Sequence, residues 1–456
     1  MSMDVAPRLE TDALLDDPQT RIVVCCGSGG VGKTTTAAAL GVRAAERGRK
    51  AVVLTIDPAR RLAQSMGIDA LDNVPRRVEG VGDEAGGELH AMMLDMKRTF
   101  DEFVEAHADP ERARAILANP FYQSLSAGFA GTQEYMAMEK LGQLRARDEW
   151  DLIIVDTPPS RSALDFLDAP KRLGSFLDGK FIRVLMAPAK VGGRAGMKFL
   201  NVGVSMMTGT VSKVLGGQLM RDVQTFAAAM DTMFGGFRTR AEATYRLLQA
   251  PGTAFLVVAA PERDALREAA YFVERLAADQ MPLAGLVLNR VHGSGAEQLS
   301  AERALAAAET LSLKGSAVAD PPGEGSVPAN PGEGAENLGP DGFVDPDSGN
   351  AQARNASAAD NSSAADPDVS PTSAERLAVG LLRLHAERMQ VLGREQRTHD
   401  RFTALHPEVP VAQVAALPGD VHDLAGLRAI GDRLAAAPAD QPAESDQSNP
   451  SKRTAG

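Results

Sequence analysis

The chain has 456 residues, of which 44% are hydrophobic and 4% aromatic, and its formal net charge is −12. This acidic balance argues against a nucleic-acid-binding protein, which needs a basic face, so we expect no nucleic-acid partner. No apolar stretch approaches the roughly 20 residues of a membrane span, and the acidic start does not resemble a signal peptide. We therefore expect a cytoplasmic protein without an integral membrane segment, peripheral to a membrane at most.

Seven short apolar runs predict buried β-strands. Most are apolar on both faces, as parallel strands covered by helices are. Helical patterns separate them, and this alternation predicts an α/β fold with a doubly wound, mostly parallel sheet. The predicted strands are 21–26, 50–57, 89–95, 150–157, 253–260, 283–290 and 410–417.

The two cysteines, Cys25 and Cys26, are neighbours in the first predicted strand. Because side chains alternate along a strand, these two should point to opposite faces and cannot easily form a disulfide. With no metal-spaced thiols either, the cysteine content fits a reducing compartment.

Two segments interrupt the strand–helix alternation. Residues 166–250 contain seven of the 17 methionines and predict an inserted helical subdomain, with the methionines lining either a client groove or its own core. Residues 313–372 carry ten acidic and two basic residues and few large apolar ones, which predicts a disordered acidic insertion. The other predicted parts are a flexible N-terminal tail at 1–18, three portions of one α/β core at 19–165, 251–312 and 373–435, and a disordered tail at 436–456.

A glycine loop follows the first strand. The sequence GSGGVGKT at 27–34 fits the phosphate-binding pattern G-x-x-x-x-G-K-[ST]. Glycines let backbone N–H groups surround phosphate oxygens, the lysine neutralises phosphate charge, and the threonine hydroxyl ligates Mg²⁺. ATP and Mg²⁺ are therefore the predicted cofactors. The predicted nucleotide contacts here are Gly27, Ser28, Gly29, Gly30, Val31, Gly32, Lys33, Thr34 and Thr35.

The same glycines also fit the dinucleotide-binding pattern G-x-G-x-x-G, with Asp57 as its ribose-binding acid. Lys33 and Thr34 favour the phosphate-loop interpretation, because a dinucleotide site gives that lysine no task. Asp156 ends the run WDLIIVD, as the acid that supports a bound Mg²⁺ does in phosphate-loop enzymes. Asp57 lies where ligands bind in such sheets, but it also fits the N-cap of a helix that begins at Pro58.

Five motifs occur in an order that resembles the arsenite-pump and tail-anchored-protein-targeting ATPases. They are GGVGKTTTA, TIDPARRL at 55–62, GTQEYMAMEKL at 131–141, IIVDTPPSRSALDFL at 153–167 and LVLNR at 286–290. The resemblance covers 20–312 and 373–435 and implies a dimeric P-loop NTPase of the SIMIBI type.

The resemblance also implies roles for particular residues. Asp57 would position the attacking water in switch I, and Asp156 to Pro159 would form switch II. Asn289 would contact adenine, although an asparagine at a strand end also fits ordinary turn chemistry. Leu417 and Pro418 would pack on the base. In targeting relatives the helical region shelters a membrane helix, which suggests an apolar or membrane-protein client.

Ser28 departs from that family, whose members carry a lysine there that reaches the partner's nucleotide. A heterodimer with a paralogue that retains the lysine would complete the site. In a homodimer, Arg60 or Arg61 would have to substitute, or hydrolysis would be slow. Two alternative functions remain. One is a nucleotide-gated binding or scaffold protein with negligible turnover, and the other is an ATPase of the partition or division-site type that organises other components in space. The organiser is disfavoured because the C-terminal residues offer neither an amphipathic membrane helix nor a basic face.

Overall fold

The structure, a computed structural model, describes residues 7–57, 61–120, 122–123, 132–158, 239–317 and 371–436. Within these residues, eight strands form one sheet in the order β3-β4-β2-β5-β1-β6-β7-β8. Neighbouring strands are parallel except β3, which pairs antiparallel with β4. The predicted doubly wound, mostly parallel sheet is confirmed. The strands are β1 Ile22–Cys26, β2 Lys50–Thr55, β3 Arg76–Arg77, β4 Glu88–Met93, β5 Leu152–Asp156, β6 Thr253–Ala259, β7 Leu283–Val291 and β8 Val411–Ala415.

Helices cover both faces of this sheet. One face packs against α2 and α10, and the other packs against α4, α6 and α7. The helices are α1 Thr11–Asp16, α2 Lys33–Glu46, α3 Arg61–Ser65, α4 Met96–His107, α5 Pro110–Leu117, α6 Thr132–Arg147, α7 Arg263–Ala278, α8 Ala301–Ala317, α9 Pro371–Leu405 and α10 Leu424–Ala435.

The central strands show why the sequence forms two buried layers. Successive side chains alternate, so Val23 and Cys25 lie in the layer of α2, whereas Val24 and Cys26 lie in the layer of α7. Both cysteines are buried and free. The predicted placement of the two thiols on opposite faces is therefore confirmed.

The direction of the chain reverses at β1 and β6, which are neighbours in the sheet. After β1 the chain passes through α2 to β2 on one side, and after β6 it passes through α7 to β7 on the other. In open α/β sheets, such a switch point leaves a crevice at the carboxyl ends of the strands, where ligands bind.

The N-terminal segment corrects one prediction. Residues 7–17 were expected to belong to a flexible tail, but they include α1, and Leu9 and Leu15 are buried in the core. Asp12 accepts two hydrogen bonds from the Arg43 guanidinium of α2, at 2.5 and 2.8 Å. The segment was missed because its few apolar residues lie among acids and give no periodic signal.

Other differences are local. The two-residue strand β3 was not predicted, because an exposed pair of arginines gives no strand pattern. Residues 239–249 of the predicted subdomain are helical, and the rest of it, 166–238, lies outside the described residues. Of the predicted insertion, residues 313–317 continue α8 and 371–372 begin α9, and the remainder also lies outside.

The described residues between 294 and 391, which are 294–317 and 371–391, form a second compact unit. Within it, the carbonyl of Leu299 lies 2.7 Å from Nε2 of His385, and three buried alanines supply the small side chains of its core. These alanines are Ala304, Ala308 and Ala386.

Candidate functional site

The glycine loop connects β1 to α2 at the carboxyl edge of the sheet. Gly27 and Gly32 have φ angles of +149° and +95°, which side-chain-bearing residues rarely adopt. A Cβ on Gly27 would lie 2.1 Å from the Val258 carbonyl oxygen, and one on Gly32 would lie 2.2 Å from Nδ2 of Asn289. The loop conformation and its close packing therefore both require glycine at these two positions.

Lys33, the first residue of α2, is 5% exposed, and its Nζ donates a hydrogen bond to the Ser28 carbonyl at 2.7 Å. Burial lowers the pKa of this ammonium, while the nearby Asp156 carboxylate opposes that shift. No side chain caps the start of α2, where Gly32 is the N-cap. The loop thus places a buried cation beside backbone N–H groups at the positive end of a helix.

Asp156 ends β5 and is fully buried beside this loop. Its Oδ2 accepts hydrogen bonds from the hydroxyls of Thr34 at 2.8 Å and Thr55 at 2.9 Å. Burial raises the pKa of the carboxyl to about 6, against the opposing effect of these two hydroxyls. Its Oδ1 is buried and has no hydrogen-bond partner in the described part of the chain.

Asp57 follows β2 at the same edge. Its backbone N–H donates to the Thr55 hydroxyl at 3.2 Å, so one threonine contacts both aspartates. Its negative charge opposes the lowering of the Lys33 pKa by burial, which places the carboxylate within electrostatic range of the loop. Pro58 to Arg60 lie outside the described residues, so the N-cap alternative and the role of Arg60 stay predictions.

Asn289 lies near the end of β7 and is 6% exposed. Its Nδ2 donates to the Val31 carbonyl of the glycine loop at 2.9 Å. The register between β7 and β8 shifts directly after it, between Asn289 and Val291, and the intervening Arg290 has a left-handed φ of +61°. The asparagine side chain therefore braces the loop from a strand bulge.

Residues of the glycine loop, α2 and β7 line a cleft of about 920 Å³. It brings together residues that the sequence predicted from three distant segments. They are Gly32, Thr34 and Thr35 of the glycine loop and α2, Asn289 of β7, and Leu417 and Pro418 beyond β8. Arg61 of α3 also lines it, whereas the predicted residues Ser28, Lys33, Asp57 and Asp156 are not among its lining residues.

The profile of the anion-transporting ATPases matches residues 20–309, more than half of the chain. The chain belongs to the anion-transporting ATPase family. This confirms the predicted resemblance, and the mostly parallel sheet described above agrees with the P-loop α/β fold that it implied. The match ends before the predicted acidic insertion begins.

Three relatives align with different lengths of this chain. The protein named ATPase GET3 of Podospora anserina is 27% identical over 302 residues, which are 64% of this chain and 80% of that protein. ATPase GET3 of Malassezia globosa is 29% identical over 160 residues, 35% of this chain and 45% of that protein. A protein of Aquifex aeolicus, named as an arsenical pump-driving ATPase, is 27% identical over 157 residues, which are 33% of this chain and 38% of that protein. The chain thus spans less than half the length of two of these relatives.

Magnesium is the metal that an ATPase of this family implies, and the residues present fit it. Mg²⁺ prefers oxygen ligands and keeps several of its ligands as water or substrate phosphate. The unpartnered Oδ1 of Asp156 and the hydroxyl of Thr34 supply hard oxygen donors next to the loop. No group of three His, Cys, Asp or Glu side chains suited to a metal occurs among the described residues, so a protein-only cage is not formed there.

Sequence reasoning missed several residues in and around this site. Thr55 gives no motif of its own, because its importance comes from contacts with two aspartates. His292 and Glu395 also line the cleft, and Nδ1 of this histidine lies 2.5 Å from the Glu395 carboxylate. Their separation of 103 residues leaves no local signal. No helix in the described ranges is long and apolar enough to span a membrane.

Proposed function

We propose that this protein hydrolyses ATP in the cleft at the carboxyl edge of its sheet, with Mg²⁺ as the cofactor. The observation that carries the proposal is the cluster of Lys33, Thr34 and Asp156 around a loop that requires glycine at positions 27 and 32. The same residue types in the same arrangement give phosphate-loop enzymes their charge neutralisation and metal support.

Each residue has a distinct task in this proposal. The backbone N–H groups of the glycine loop bind the phosphates, and Lys33 neutralises their charge. Thr34 and Asp156 hold Mg²⁺, with Asp156 acting through water, and the ion when bound offsets the negative charge of the phosphates. Asp57 orients the attacking water.

The nucleoside part of ATP lies between β7 and the segment after β8. Leu417 and Pro418 supply apolar surface for the base, and they line the same cleft as Thr34 and Thr35. Asn289 contributes mainly by bracing the loop, since its amide group already donates to the Val31 carbonyl. Its oxygen stays available for a contact with the base.

The experiment for this proposal separates binding from chemistry. The variant Asp57→Asn should keep ATP affinity within about threefold, because it retains the shape of the side chain, and should lose hydrolysis by at least 100-fold. Asp69→Asn, at an exposed aspartate outside the cleft, is the matched control and should behave as wild type. Equal turnover of the two variants would show that Asp57 does not orient the water. Tight ATP binding without turnover in the wild-type protein would support a nucleotide-gated binding protein instead.

We also propose that the protein works as a dimer, either with itself or with a paralogue that carries a lysine at the position of Ser28. Ser28 is uncharged, and its carbonyl is already bonded to Lys33 of the same subunit. It therefore offers no cation to a partner's nucleotide. Turnover that rises at least tenfold with a co-purified paralogue would support the heterodimer. In a homodimer, Ser28→Lys should accelerate hydrolysis, and an unchanged rate in both experiments would point to Arg60, Arg61 or another group of the same subunit.

The client in this proposal is an apolar segment, such as that of a membrane protein, bound by the methionine-rich residues 186–233. Support comes from the sequence alone, because these residues lie outside the described part of the chain. An apolar photo-crosslinking peptide should label the segment in one nucleotide state and not in the other. Labelling that is the same with ATP, ADP and no nucleotide would refute the coupling.

A further inference from the structure

His292 and Glu395 form a pair at the cleft that the proposed ATPase chemistry does not use. The imidazole follows β7, and the carboxylate lies on α9, so two distant segments meet here. Oε1 of Glu395 lies 2.5 Å from Nδ1 of His292, and Oε2 accepts the backbone N–H of the same histidine at 3.2 Å. Glu395 is largely buried, with 14% of its side chain exposed, whereas His292 is half exposed.

This geometry fixes the tautomer of a neutral His292. A carboxylate can only accept hydrogen bonds, so the proton of the imidazole lies on Nδ1. Nε2 is then a hydrogen-bond acceptor, and none of the described residues donates a hydrogen bond to it. The cleft thus contains a rigidly held acceptor that is open to a ligand.

The position of the pair indicates which part of a nucleotide it meets. The sheet order β1-β6-β7-β8 places β7 two strands from the strand that carries the glycine loop, about 10 Å along the sheet edge. Leu417 and Pro418, which follow β8, line the same cleft. A nucleotide whose phosphates occupy the glycine loop would therefore extend its base toward His292.

The strained Arg290 supports a functional reason for this placement. Among the described residues, the other non-glycine residues with a positive φ are Asp148 and Gln280, which follow the ends of helices, where that conformation is common. Arg290 instead lies inside β7, at the bulge that precedes His292. Bulges re-aim side chains next to active sites, and strain of this kind persists where the surrounding structure enforces it.

We propose that His292 reads the base of the bound nucleotide and that Glu395 is the residue that positions it. Nε2 of His292 accepts a hydrogen bond from the exocyclic amino group of adenine. Guanine carries an oxygen acceptor at the corresponding position, so the lone pair of that oxygen and the lone pair of Nε2 would repel each other. The inference rests on the proposed nucleotide site and adds to it the residues that select ATP over GTP.

Replacing Glu395 by glutamine should change the nucleotide preference in a way that is not expected if Glu395 has only a structural role. The backbone N–H of His292 needs an oxygen, so the amide oxygen of Gln must face it. The amide NH₂ then faces Nδ1 and forces the imidazole proton onto Nε2, which becomes a donor. Glu395→Gln should therefore weaken ATP binding and strengthen GTP binding.

The test is the dissociation constant of ATP and of GTP, measured by calorimetry with the full chain. Wild type should favour ATP, His292→Ala should reduce that preference about tenfold, equivalent to about 1.4 kcal/mol, and Glu395→Gln should reduce or invert it. Glu408→Gln, which makes the same chemical change at an exposed glutamate outside the cleft, should leave it unchanged.

Two outcomes would overturn the inference, and they differ in whether the proposed nucleotide site also fails. If wild-type protein binds nucleotide, Lys33→Ala does not, and the ATP-to-GTP ratio is the same in both cleft variants, His292 does not read the base. In that case the proposed ATPase site still stands. If wild type and Lys33→Ala bind equally poorly, the nucleotide site itself is wrong.

Discussion

Removing the hydroxyl of Thr55 should raise the Mg²⁺ concentration that ATP hydrolysis requires, while the protein stays folded. Thr55 is buried at the end of β2, and its hydroxyl donates to Oδ2 of Asp156 at 2.9 Å while accepting the N–H of Asp57 at 3.2 Å. Thr55→Val keeps the shape of the side chain and removes both contacts.

The magnitude follows from the hydrogen bond to Asp156. A buried hydrogen bond to a charged group contributes about 1.5–3 kcal/mol, and 1.36 kcal/mol corresponds to about one pH unit in a pKa. Burial already raises the pKa of Asp156 to about 6, and the Thr55 hydroxyl acts against that rise. Its loss should raise the pKa by about one to two further pH units, so that much of the carboxyl is protonated at pH 7.

The assay is the Mg²⁺ concentration that gives half-maximal ATP hydrolysis, measured from pH 6 to pH 9. For Thr55→Val it should rise about two- to tenfold at pH 7, and the difference from wild type should shrink toward pH 9, where most of Asp156 is ionised in both proteins. Thr253→Val is the control, since that hydroxyl donates to a backbone carbonyl at the opposite edge of the sheet. A tenfold change that is independent of pH, or no change at all, would refute the reasoning.

Three further changes test the scaffold. Gly27→Ala should cost about 3 kcal/mol or more, because its Cβ would lie 2.1 Å from the Val258 carbonyl oxygen at a φ of +149°, and a melting temperature equal to wild type would contradict this. Arg49→Met removes four hydrogen bonds of 2.6–3.2 Å to backbone carbonyls and should lower the free energy of unfolding by about 3 kcal/mol in urea titrations. Asp12→Asn should cost about 1 kcal/mol at pH 7. The Arg43 guanidinium holds the pKa of Asp12 below its ordinary 3.8, so the stabilisation exists above that value and is lost as the pH falls through the folded pKa. Unfolding at pH 3 should therefore show a smaller difference between Asp12→Asn and wild type, and an equal difference at both pH values would argue against the ion pair.

The sequence predicted the features whose signals are contiguous. Each buried strand is a short apolar run, and the glycine loop is a single stretch between the first strand and its helix. Asp156 was identifiable because the run before it marks the strand that it ends. These local patterns, together with the rule that ligands bind at the carboxyl edge of a doubly wound sheet, were sufficient to place the cleft.

The remaining features depend on contacts between distant residues. Thr55 meets Asp156 across 101 residues, and His292 meets Glu395 across 103. Neither pair has a spacing that a motif could encode, because only the order of the strands brings them together. The docking of α1 was hidden for a similar reason, since Asp12 finds its partner Arg43 on a different helix.

The most direct measurement is steady-state phosphate release from Mg-ATP by the purified wild-type chain and by Lys33→Ala, with circular dichroism to show that both are folded. Burial of Lys33 beside Asp156 and its contact with the loop predict that hydrolysis by the variant falls at least 100-fold. Turnover by Lys33→Ala that equals the wild-type rate would contradict an ATPase site in this cleft.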